Sequence, residues 1–85
     1  MKIYHLSGAS LLDPARYRIC ISGNLDEHWS DYCGGMAIKQ LRDAKPSPLT
    51  ILTGRLADQS ALIGVLNSLH DIGCPILLVE YVGAG

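Results

Sequence analysis

The chain predicts an α+β domain, with about four strands in a mostly antiparallel sheet, one principal helix on one face, and a strand-helix-strand crossover in the C-terminal half. Three observations carry this expectation. From Leu49 to Val82 the hydrophobic period changes from strand-like to helical and back, at recognisable punctuation. Two earlier runs, Tyr17–Ser22 and Met36–Leu41, alternate with period two. Finally, 85 residues that are 48% apolar but only 6% aromatic make one domain with a single aliphatic core. A domain this small buries only a little over ~60% of its unfolded surface, so stability is expected to be marginal or shared with a second subunit.

In chain order, residues 1–16 contain Ser7-Gly8-Ala9-Ser10 and Asp13-Pro14 and read as either an edge strand and loop or a mobile arm. The single domain is expected over 17–82. Its first strand, Tyr17–Ser22, puts Tyr17, Ile19 and Ile21 on one face and ends at Gly23-Asn24. After Asn24, helical spacing of Leu25, Trp29 and Tyr32 or Cys33 predicts a short helix or a wrapped loop, with Trp29 closing one edge of the core. Gly34-Gly35 breaks it. Met36–Leu41 then forms a hairpin with the run from Leu49, across a polar loop that holds two prolines, Pro46 and Pro48.

Leu49-Thr50-Ile51-Leu52-Thr53 is β-branched and apolar, and Gly54-Arg55 is expected to end that strand. Asp58 is a helix N-cap, because its carboxylate accepts from first-turn N–H groups and meets the positive end of the helix dipole. Leu62, Val65, Leu66, Leu69 and Ile72 recur at helical spacing, leaving Ser60, Asn67, Ser68 and Asp71 for water. Gly73 supplies the left-handed residue that ends the helix, and Pro75 prevents its continuation. Ile76-Leu77-Leu78-Val79 is continuously apolar, as suits a strand covered on both sides or central in a sheet. Residues 83–85 should fray.

Charge and composition narrow the function classes. Seven basic and eight acidic residues give a net charge of −1, which carries no electrostatic footprint for nucleic acid or an anionic membrane. No apolar run reaches the ~18–20 residues needed to span a bilayer, and the first residues lack the apolar segment of a signal peptide. Three cysteines at no zinc or redox spacing point to a reduced, cytoplasmic protein.

The run from Thr53-Gly54-Arg55-Leu56-Ala57-Asp58-Gln59 to Val65-Leu66, with Asp71-Ile72-Gly73-Cys74-Pro75-Ile76-Leu77, Gly23-Asn24-Leu25-Asp26 and Trp29, resembles a group of small uncharacterised bacterial proteins. That resemblance spans roughly Tyr17 to Glu80 and implies a bacterial domain without transferring an activity. Asp58, Leu62, Leu66, Leu69 and Gly73 also resemble half of an ACT domain. Ser60-Ala61 stands where that family has Pro-Gly, and no second helix of comparable length follows. The ACT resemblance implies a small-ligand-binding regulatory domain with its site at a subunit interface, but the family's ligand site does not carry over. The candidate ligand residues are Gly54, Asp58 and Gly73: Thr53-Gly54 and Asp58 flank a helix N-terminus that could receive an anion, although Asp58 competes for the same N–H groups.

Bottom-up chemistry gives little more. His28 with Cys33, or His70 with Cys74, could activate a thiol, but neither pair has an orienting third group, and buried thiols usually behave as small apolar side chains. No catalytic residue, metal site or cofactor is assigned. Asp26, Glu27 and Asp31 read as a solvated face. Ile63 is apolar beside the core stripe, and Gly64 costs about 1 kcal/mol in a helix interior, which suggests a close contact there. With Leu52, Leu77 and Val79, expected on a sheet face the helix leaves bare, they define a candidate interface. The leading expectation is a non-enzymatic, self-associating module, a dimer first, with a protein partner or small ligand and no nucleic acid or membrane. The ligand-binding domain is the alternative, and a Cys-His enzyme the third.

Overall fold

The first strand starts earlier than its alternation suggests, because Ala15 joins Tyr17, Ile19 and Ile21 on the buried side while Arg16 and Arg18 face out. The computed structural model describes residues 13–84. Along the chain lie β1 (Ala15–Ser22), two 3-10 turns (Glu27–Trp29 and Asp31–Cys33), β2 (Ala37–Leu41), β3 (Leu49–Leu56), α1 (Gln59–Asp71) and β4 (Ile76–Ala84). The four strands form one sheet in the order β2-β3-β1-β4, with every pairing antiparallel. β3 and β4 both oppose β1, so they run parallel to each other, and the connection through α1 carries the chain past β1. This is the connectivity of a β-α-β-β-α-β ferredoxin-like unit whose first helix is replaced by 3-10 turns.

α1 forms as its sequence dictates. Asp58 Oδ1 accepts from the Ala61 N–H at 2.8 Å, and Leu62, Val65, Leu66 and Leu69 are buried. They pack with Tyr17, Ile19, Ile21, Leu52, Leu56 and Val79 from the sheet and Leu25, Cys33 and Met36 from the β1–β2 connection. Each fully buried leucine contributes on the order of 1.5–3 kcal/mol.

Four expectations change. β3 does not end at Gly54 but runs on to Leu56, because Gly54 lies where Met36 crosses: a Cβ there would sit 3.3 Å from Met36 Cα. β4 is an edge strand, not a central or doubly covered one; its unbroken apolar run reflects a register shift opposite Cys20 and Ile21, which inserts Leu77 as an extra residue. Gly83 and Ala84 pair with Arg16 and Ala15 instead of fraying. Trp29 is no core lid: it is 40% exposed, while Leu25 and Cys33 fill the core beside it. The expected arm, residues 1–16, lies outside the described residues up to position 12; Asp13 and Pro14 are exposed and precede the strand, and Ala15 and Arg16 belong to β1.

Candidate functional site

The residues expected to hold a ligand do not converge. Gly54 is an internal β3 residue paired with Tyr17, and Asp58 spends a carboxylate oxygen capping α1. Gly73, with φ of 82°, lies beyond the other end of the 13-residue helix, about 20 Å away at 1.5 Å per residue. The expected interface also divides. Leu52 is 0% and Val79 1% exposed, both in the α1-facing core, because the register sets each opposite Ile19. Ile63 and Leu77 are exposed, and Gly64 has open space around it.

The bare sheet surface is therefore the opposite parity of the same strands. Its rows run Leu41–Leu49–Ser22, then Lys39–Ile51–Cys20–Leu78, then Ala37–Thr53–Arg18–Glu80. Leu41, Leu49, Ile51, Cys20 and Leu78 are all partly exposed, and among the described residues no helix packs on them. At the charged end Arg18 Nε meets Glu80 Oε1 at 2.8 Å. That hydrogen bond, reinforced by the guanidinium charge, holds the Glu80 carboxyl below its usual value and raises Arg18.

Two concavities lie elsewhere. A polar cleft of about 270 Å³ is lined by Asp26, Glu27, His28, Ile38, Gln40 and Arg42. Its groups are mutually oriented: Asp26 Oδ1 accepts from the His28 backbone N–H at 2.9 Å and lies 2.8 Å from His28 Nδ1. Arg42 donates from Nε and Nη2 to Gln40 Oε1 at 3.0 and 2.7 Å, and Gln40 Nε2 donates to the Leu25 carbonyl at 2.9 Å. The sequence reading missed Gln40 and Arg42. The available signal was Gln40 itself, a polar residue on the same parity as the core-facing Met36 and Ile38.

The second concavity, about 340 Å³ and more apolar, lies between Leu66, Asn67, His70, Cys74, Pro75 and Ile76. His70 and Cys74 both line it. The Cys74 thiol, however, is pushed up by burial, as are Cys20 and Cys33, so each is held as the protonated, weakly nucleophilic form. His28 is paired with Asp26, not with Cys33. Among the described residues, no three His, Cys, Asp or Glu side chains gather to hold a metal ion, and no helix is long and apolar enough to cross a membrane.

No curated protein and no solved structure matches the chain. Residues 16–80 match a family described as a domain of unknown function, DUF8691, a span from the second residue of β1 to the middle of β4 that takes in every core residue but Ala15. The chain belongs to the DUF8691 family.

Proposed function

We propose that this protein is a non-enzymatic interaction module that self-associates face to face, through the sheet surface opposite α1. The observation that carries the reading is the apolar end of that surface, Leu41, Leu49, Ile51, Cys20 and Leu78, aligned by the strand register and bare of any helix among the described residues. Edge-to-edge pairing is the weaker route, since β4 is interrupted by two register shifts and β2 is only five residues long. Four strands about 4.8 Å apart and up to about eight residues long present roughly 500 Å² each, so a dimer would bury about 1,000 Å², the lower bound for a specific interface.

Light scattering of the full chain at micromolar concentration should give at least twice 9.2 kDa. Ile51→Lys and Leu78→Lys should each return it to one chain with unaltered circular dichroism, because a lysine in the apolar row must be desolvated when two such faces meet, while Glu80 in the next row is already engaged by Arg18. A clean monomer at high concentration for the unaltered chain would end the proposal.

A second reading, the small-ligand-binding domain, is favoured by the polar cleft. There Arg42 is held by Gln40, its remaining N–H donors unpaired among the described residues, in the cleft that the Asp26 and Glu27 carboxylates also line. The candidate ligand residues Gly54, Asp58 and Gly73 do not converge on that cleft, so in this reading the ligand moves to the β2 side of the sheet. Native mass spectrometry separates the readings: the first expects paired subunits without added mass, the second a retained small molecule that Arg42→Ala releases.

A further inference from the structure

We propose that the Trp29–Tyr32 pair is a docking surface for an arginine- or lysine-bearing segment of a partner protein, separate from the sheet face used for self-association. The two rings meet edge to face, with centroids 5.5 Å apart and planes at 70°. Trp29 is 40% and Tyr32 47% exposed, and Trp29 is the only tryptophan in the chain. The backbone explains why both point out. Hydrogen bonds from Trp29 N–H to Asp26, Ser30 N–H to Glu27 and Cys33 N–H to Ser30 give a nearly continuous path of three residues per turn. Ser30 and Cys33 share its inward column, where Cys33 is buried and Ser30 Oγ donates to the Met36 carbonyl at 2.7 Å. Trp29 and Tyr32 share another column, and His28 and Asp31 the third.

The charge around this column selects the partner. Asp26, Glu27 and Asp31 are three of the eight acidic residues, and along the sequence no Lys or Arg occurs between Arg18 and Lys39. Arg42 and His28 share the polar cleft with Asp26 and Glu27, so Asp31, next to the two turns' rings in sequence and in no ion pair among the described residues, is the carboxylate left for a cationic partner. Aromatic faces carry negative potential and attract guanidinium and ammonium groups, and carboxylates beside them strengthen that preference. An edge-to-face pair forms a corner, not an enclosing box, so a free small cation would keep most of its water. A peptide segment adds backbone and side-chain contacts on either side and suits an open corner better. Tryptophan, tyrosine and arginine are also the residues that dominate measured interface energies.

The lone tryptophan reports on its own site. The full chain is titrated with a glycine-spaced peptide carrying two arginines, and with versions carrying glutamate or leucine instead, while Trp29 emission is followed. The arginine peptide should shift the emission saturably and the other two should not. Tyr32→Leu, which keeps apolar area but removes the ring, should weaken arginine binding about two- to fivefold. Asp31→Asn should weaken it as well, as should raising salt from about 0.01 M to about 1 M, which shortens the screening length from about 30 Å to about 3 Å. Ile51→Lys should leave the response intact, so loss of self-association does not remove this site. Equal responses to all three peptides, or arginine binding unchanged in both Tyr32→Leu and Asp31→Asn, would overturn the proposal.

Discussion

Thr50 is the one fully buried polar side chain among the described residues, and its environment explains why β3 tolerates it. Its hydroxyl donates to the Gly23 carbonyl at 2.7 Å and accepts from the Leu25 N–H at 3.0 Å, tying the exit of β1 to the start of the 3-10 turns. Thr50→Val keeps the shape but leaves both backbone groups without that partner. It should therefore destabilise the fold by about 1–3 kcal/mol, read as a lower urea midpoint, while Thr50→Ser should retain most of the stability. An unchanged midpoint in the valine variant would mean that water replaces the hydroxyl. In the sequence Thr50 reads only as a β-branched strand residue, since its partners lie more than twenty positions away. Trp29 departs from its expected place for a related reason. Spacing counted at 3.6 residues per turn puts Leu25 and Trp29 on one face, but at three per turn Trp29 shares a column with Tyr32 and turns outward.

At the scale of elements, legibility follows how local the determining information is. α1 is written within Asp58 to Gly73: cap, apolar stripe and terminating glycine all lie there, and the helix forms at Gln59–Asp71. Strand parity is different. Alternation separates two sets of residues in β3 and β4 without saying which set meets α1, and a one-residue error exchanges the faces. Leu52 and Val79 were lost to the core in this way, and Ile51 and Leu78 took their place outside. The β1–β4 pairing also carries an acid-sensitive contact. Arg18 holds the folded-state Glu80 carboxyl below its ordinary 4.5, so the pair adds stability in full above that value and loses it as pH falls through the lowered one. Glu80→Gln should flatten the acid side of the stability curve as pH falls below the ordinary carboxylate value, with a small amplitude because both groups are partly solvated. Unfolding curves of equal acid slope in the two proteins would show the pair to be inert.

For the whole molecule, the proposed self-association has two candidate surfaces, of which the sequence indicates the helix face by residue and the sheet face only as a face, not by its residues. The outer face of α1 offers Ile63, 51% exposed, beside Gly64; the open sheet face offers Ile51, Cys20 and Leu78 in one row. A helical glycine with nothing within 4 Å of where its Cβ would lie has room for a side chain in the single chain. Gly64→Leu should then recover helix propensity of up to about 1 kcal/mol, raising the melting temperature by up to about 4–8 °C in a domain of this size. If the sheet faces make the dimer, that gain comes with no change in the mass seen by light scattering, whereas Ile51→Lys returns the protein to one chain. If α1 makes the dimer, the new leucine collides with the partner, so Gly64→Leu lowers the association constant at constant helix content and Ile51→Lys leaves assembly alone. The sheet is favoured because its apolar row is continuous across three strands, while on α1 Ile63 stands among Ser60, Asn67 and other residues suited to water. The pair of variants therefore assigns the interface by which one separates the subunits, independently of what either does to stability.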